Sequence, residues 1–170
     1  SHFLHSVAAL AYIVTRDYDQ AVTLGHKGLA LDPNSIPCGW ASAVANLYSG
    51  QMEAATRSVI RSVELSQRGP ILLGTLGLIL AKAGRRDEAL EIRAELETRA
   101  ATEYIGPVST LYVDIGLGDE ELLRESLERN IEAQTGPTSL SVGLIPDLDL
   151  LREQPGLGAL VRRLSLYAGR

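Results

Sequence analysis

The sequence predicts an all-α chain, a solenoid of antiparallel helix pairs with about four repeats followed by C-terminal capping helices. Two spacings and one pattern carry the prediction. Ala21, Ala55, Ala89 and Leu123 stand 34 residues apart, and so do Arg16, Gly50, Gly84 and Gly118. A fixed period in which a small residue follows a turn by five positions is what stacked helix-turn-helix units produce, because each unit repeats the same close helix contact. Within the period, Trp40, Ala43, Val44, Leu47 and Tyr48 recur at i, i+3, i+4, i+7 and i+8, an apolar stripe with helical spacing.

The frame divides residues 2–137 into units 2–35, 36–69, 70–103 and 104–137, with 138–170 left over. In the first unit, Val7, Ala8, Leu10 and Ala11 lead to the turn at Arg16-Asp17-Tyr18-Asp19. A second helical run, Gln20 to Leu31, stops near Asp32, because Pro33 lacks an amide and restricts the residue before it. In the second unit Gly50 permits a left-handed turn, and Met52, Ala55, Val59 and Val63 form the partner stripe. The third unit repeats the plan with Leu73, Leu76, Gly77 and Leu80, then Gly84, then Ala89, Leu90 and Leu96.

Leu73-x-x-Leu76-Gly77-x-x-Leu80, with Gly84 and Ala89 following, resembles the signature of the tetratricopeptide repeat, and so does Asp17-Tyr18-Asp19-Gln20-Ala21 through Leu31-Asp32-Pro33-Asn34. The resemblance covers about 136 residues and implies a right-handed superhelix with the first helix of each unit on the inner surface. It implies small residues where helices approach. Gly77 is expected to bring the two helices of its own unit together, as Ala21, Ala55 and Ala89 do from the second helix.

The departures from the repeat are specific. Gly25 and Gly28 occupy slots of a large apolar residue and an alanine, and glycine inside a helix costs about 1 kcal/mol, so a weak second helix is expected there. In the fourth unit Leu123 replaces the small residue and Asp114 fills the aromatic slot, which predicts an altered angle or a one-residue shift.

In the remainder, Pro146, Asp147, Asp149 and Pro155 punctuate two short helices, Leu148 to Glu153 and Gly156 to Tyr167. The second carries Leu157, Leu160, Val161 and Leu164 on one face, as a cap over an open solenoid end does. Its wording, Asp149-Leu150-Leu151-Arg152-x-x-Pro155-x-Leu157-x-x-Leu160-Val161-Arg162-Arg163-Leu164, is similar to the ends of tetratricopeptide regions in bacterial signalling proteins, including winged-helix transcription regulators and class III adenylate cyclases. That likeness implies a partner-binding or regulatory arm behind an effector domain. The chain opens on Ser1 and enters an apolar pattern at once, so a piece of a longer protein is expected.

Composition narrows the function classes. Of 170 residues 45% are hydrophobic and 22% charged, the balance of a globular domain. Net charge is −5 with scattered basic residues, which disfavours nucleic acid. No apolar run reaches the roughly 20 residues that cross a bilayer, so no membrane is expected. One cysteine, Cys38, leaves no internal disulfide framework and fits a reducing, cytoplasmic setting.

Inner-surface candidates under the repeat reading are Phe3, Leu10, Ile13, Trp40, Val44, Tyr48, Leu78, Lys82, Val108 and Tyr112. They are mostly apolar, and an exposed patch of that extent marks an interface. Either they pack between helices or lie under residues 138–170, or they receive a protein or peptide partner, a second copy of the chain, or a small apolar ligand between Trp40 and Tyr112. Lys82 stands nearly alone, which disfavours capture of a chain end by a cluster of cations.

Residues 85–132 hold 13 acidic and 6 basic residues, read as a solvated outer face, with docking of a basic partner as the sharper alternative. His2 and His5 lack a third ligand, and Asp147 and Asp149 read as helix-capping carboxylates, so neither a metal, a cofactor nor a catalytic set is expected. The function implied is a non-catalytic interaction module. Homo-oligomerisation is the alternative class, because the open end around Phe3, Leu4 and Val7 needs cover.

Overall fold

The computed structural model describes residues 1–133 and 143–168. Over these residues the chain is all-α, without strands. Four helix pairs come first: α1 (His2–Val14) and α2 (Tyr18–Leu31), α3 (Ile36–Tyr48) and α4 (Met52–Leu65), α5 (Pro70–Lys82) and α6 (Arg86–Ala100), α7 (Val108–Leu117) and α8 (Glu120–Ala133). Two further helices, α9 (Asp147–Leu151) and α10 (Gly158–Ala168), follow.

The 34-residue spacing recurs in the helix boundaries. First helices begin at His2, Ile36 and Pro70, and second helices at Tyr18, Met52, Arg86 and Glu120. The cause is one repeated turn. Arg16, Gly50, Gly84 and Gly118 all adopt left-handed backbone, with φ of 65°, 81°, 79° and 66°. The amide after each of the first three reaches back into the finished helix, from Asp17 to Tyr12, Gln51 to Asn46 and Arg85 to Leu80, at 2.8–2.9 Å. This closure satisfies carbonyls that a helix end otherwise leaves open.

The carbonyls of Asp17, Gln51, Arg85 and Asp119 then accept the amides of Ala21, Ala55, Ala89 and Leu123, starting the next helix. The two residue series seen in the sequence are thus the two ends of one turn. Asp17 and Asp119 add side-chain caps, accepting from Gln20 at 3.3 Å and from Glu121 and Leu122 at 3.1 and 3.2 Å.

Each pair packs on the next: α1 on α3, α2 on α3, α4 on α5, α6 on α7, and most extensively α5 on α7. Glycine sets that last contact. A β-carbon at Gly74 would lie 2.3 Å from the Ser109 carbonyl oxygen, so the α5 backbone rests directly on that of α7. Gly77 faces the same way, since a β-carbon there would lie 2.6 Å from Val113 of α7 and 3.3 Å from Ile92 of α6. The sequence assigns Gly77 to the contact within its pair. The tighter contact is with the following pair.

Nor is α2 interrupted at its glycines. A β-carbon at Gly25 would meet Ser42 at 2.3 Å and one at Gly28 would meet Cys38 at 2.4 Å, so both admit α3. The propensity loss is offset by burial of the free thiol Cys38 and the small face of α3.

The fourth pair departs most from the others. Gly106-Pro107 delays α7 to Val108 and shortens it to 10 residues, against 13 for α1, α3 and α5. Asp114 is fully buried and receives Arg93 Nε at 2.7 Å and the Ser126 hydroxyl. One carboxylate therefore ties α6, α7 and α8 together. Burial pushes its pKa above the usual carboxylate range, and the Arg93 and Ser126 contacts offset only part of that push.

The main apolar cluster runs from Ala43 of α3 to Leu164 of α10. A smaller one gathers Ala9, Ile13, Ala21, Ala41, Val44, Ala45 and Leu144. At the far end α10 packs on α8, with Leu157, Leu160, Val161 and Leu164 buried. The two late helices thus lie within a few residues of the expected 148–153 and 156–167.

Three substitutions test this packing. Gly74→Ala gains about 1 kcal/mol of helix propensity but must move a backbone carbonyl, so a net loss of about 2 kcal/mol is expected in urea unfolding. Gly106→Ala, where a β-carbon meets open space, should be neutral. Asp114→Ala removes the buried partner of Arg93, leaving Glu97 at 2.6 Å to pair with it, and should cost about 2–3 kcal/mol by the same measurement.

Candidate functional site

The three left-handed turns after α1, α3 and α5 bring the C-terminal ends of these helices into one row. Tyr48 and Lys82 are the last residues of α3 and α5, in equivalent slots, and Arg16 closes α1. The Lys82 ammonium lies 5.9 Å from the centre of the Tyr48 ring, whose other neighbour is Tyr18 at 5.7 Å. Cationic and aromatic groups from three successive pairs therefore converge.

The chain's own late segment lies on this row. Leu144 is fully buried in the smaller cluster with Ile13 and Val44, and Ile145, 1% exposed, enters the main one. Arg16 donates to the Gly143 carbonyl at 3.1 Å and pairs with Asp149 at 2.7 Å. Tyr48 donates its hydroxyl to Asp147 at 2.7 Å, and Lys82 pairs with the other oxygen of the same carboxylate. Burial, and then the Asp147 charge, hold the Tyr48 hydroxyl far above the ordinary phenol range, so it is a donor at every physiological pH.

The ten residues read as an inner surface divide accordingly. Ile13, Val44, Leu78 and Tyr112 have no exposed surface and belong to the core. A ligand between Trp40 and Tyr112 would have to part helices, since Tyr112 is fully enclosed and the Trp40 indole donates to Thr75 of α5 at 2.9 Å. Leu10, Trp40, Tyr48 and Val108 are half-buried at the cluster margins. Lys82 is engaged by Asp147, and Phe3 stays 59% exposed at the start of α1.

Of the alternatives left by the sequence, cover prevails for much of this set: helix packing covers part and residues 143–149 cover part. Asp147 and Asp149, read from sequence as capping carboxylates, grip the helix ends instead. The backbone amide of Asp149 bonds to the Pro146 carbonyl at 3.0 Å, leaving both carboxylates to Tyr48, Lys82 and Arg16.

The acidic outer face is knitted internally. Arg99 pairs with Glu95 and Glu103, Arg68 with Glu95, Arg124 with Glu120, and Arg93 with Glu97 as well as Asp114. Arg129 lies 3.9 Å from Glu97 of α6. Among the described residues no group of three His, Cys, Asp or Glu side chains is placed to hold a metal ion, and no helix is long and apolar enough to cross a membrane. What the row of helix ends can do chemically is recognise carboxylates and a backbone carbonyl.

No protein-family model matches this chain, and no curated protein is similar to it at a significant level.

Sequence reasoning named Tyr48 and Lys82 and weighed cover by residues 138–170, but missed Arg16 and the pairing of all three with Asp147 and Asp149. One signal was present: Arg16 fills a slot held elsewhere by glycine, and a side chain at positive φ costs about 1 kcal/mol or more unless it does something glycine cannot. Leu144→Ala should remove about 2–4 kcal/mol of local packing. Hydrogen exchange should then show amides of residues 144–151 accelerated at least tenfold with α5 and α7 unchanged, and uniform acceleration would refute a separately docked segment.

Proposed function

We propose that the chain is a tetratricopeptide-type solenoid acting as a non-catalytic protein-interaction module, the regulatory or partner-binding C-terminal part of a larger bacterial signalling protein, with the ends of α1, α3 and α5 forming its partner surface. The observation that supports this most is that a turn and the short helix α9 of the same chain already lie across three helix pairs there, held at Leu144, Asp147 and Asp149. A surface that takes one segment through side chains from three repeats has the chemistry to take another. The recurrence of helix starts and left-handed turns supports the repeat assignment, and the late segment's wording supports the signalling context. A cytoplasmic location accords with the single buried thiol.

The test is a random peptide library selected on the full chain, with a photo-reactive group in each enriched peptide. Cross-links to Leu10, Trp40, Tyr48 or Lys82 are expected. Labelling confined to α6 and α8, or no enrichment at all, defeats the reading.

A second reading, self-association, is favoured by a separate strip. Phe3, Leu4, Val7 and Val14 of α1 are 59%, 66%, 49% and 42% exposed, with Leu31 of α2 also open. Such a strip on one helix suits an isologous contact. Sedimentation across a dilution series should show a dimer that Leu4→Glu dissolves, and a monomer at every concentration removes this reading.

A further inference from the structure

The two carboxylates of the docked segment are matched one by one. Asp149 faces the Arg16 guanidinium at 2.7 Å, and Asp147 receives a neutral donor, Tyr48, and a cation, Lys82, on its two oxygens. The same guanidinium holds the Gly143 carbonyl, so backbone and side chains are bound together. Ahead of the acids, Leu144 and Ile145 enter two different apolar clusters, and Pro146 separates the apolar pair from the acidic one. The repeated turn does not call for a cation at Arg16, nor the helix end for one at Lys82, whereas Tyr48 also packs against both apolar clusters. Gly50 and Gly84 complete the same turn as Arg16, and Val14 and Gly116 fill the slot of Tyr48 and Lys82.

Resting on the reading of this row as a partner surface, we propose that its ligand is an acidic segment, two aliphatic residues followed by carboxylates two apart, and that residues 143–149 are a competing copy of that ligand carried in the chain itself. A tethered segment is present at high effective concentration, so a partner binds with its intrinsic affinity multiplied by the fraction of molecules in which the segment is released. The charged contacts are partly exposed, with side chains 19% to 53% accessible, a range in which ion pairs exchange readily with water. The device sets a threshold: partners lacking the acidic pair gain nothing from Arg16 and Lys82 and do not displace the segment.

The test uses the full chain and a fluorescent peptide of residues 143–151, Gly-Leu-Ile-Pro-Asp-Leu-Asp-Leu-Leu. The doubly substituted chain Asp147→Asn/Asp149→Asn, which weakens the internal copy and leaves Arg16, Tyr48 and Lys82 intact, should bind this peptide at least tenfold more tightly than the unaltered chain. A peptide with both aspartates replaced by asparagine should lose at least tenfold against the same variant. Adding Arg16→Ala and Lys82→Ala should abolish binding.

Circular dichroism confirms that each variant is folded, and the milder Asp149→Asn chain should fall between the other two. Equal binding of acidic and asparagine peptides, or binding that survives loss of Arg16 and Lys82, overturns the proposal. If library peptides without acids cross-link to the row while the acidic peptide does not bind, the ligand chemistry is wrong and the partner surface stands. If neither kind binds, both fall.

Discussion

A helix that ends on a left-handed residue releases its chain in one direction, and the position of that residue decides where the next helix begins. Here that constraint recurs at Arg16, Gly50, Gly84 and Gly118, and the rest of the molecule follows from it. Because the turns are alike, the helices they join have matching starts, and because the starts match, one small buried residue, Ala21, Ala55 or Ala89, sits five positions beyond each of the first three turns. The alignment also gathers the C-terminal ends of α1, α3 and α5, so the row that holds residues 143–149 arises from the same geometry that builds the core.

Between pairs the controlling quantity is backbone separation. At Gly74 and Gly77 the α5 backbone comes close enough to α7 to exclude any β-carbon, and at Gly25 and Gly28 α2 does the same for α3. Glycine weakens a helix taken alone and strengthens its contact with a neighbour, and the second effect prevails wherever the neighbour supplies a buried face. The fourth pair solves the problem differently. A buried Asp114 bound by Arg93 and Ser126 fixes three helices by hydrogen bonds where the earlier pairs use shape. Such a site is costly to desolvate, and loss of a partner there destabilises the packing of all three helices.

How far the sequence disclosed these features depended on whether their cause was local. The turns and helix starts were legible because residue type at one position, glycine or alanine, reports backbone conformation and clearance directly. The roles of Gly25, Gly28 and Gly77 were only half legible: smallness was visible, but which helix each glycine admits depends on the stacking of the next pair. The grip on residues 143–149 was least legible. Arg16 and Asp149 are 133 positions apart, Lys82 and Asp147 are 65, and no periodic pattern connects them. Asp147 and Asp149 beside a proline look like ordinary helix punctuation, and only the three-dimensional row of donors gives them another meaning. Lys82, solitary along the chain, has its counterpart in space.

The smaller apolar cluster has a further consequence. Its members come from α1, α2 and α3, yet Leu144 completes it, so the hydrophobic interior of the first helix pair is shared with a residue that the ribosome adds more than a hundred positions later. Until residues 143–149 dock, the apolar residues of this cluster that Leu144 covers stay open to water. The final packing of the N-terminal pair therefore depends on a contact across more than a hundred positions, in a protein whose other helix contacts are between near neighbours along the chain.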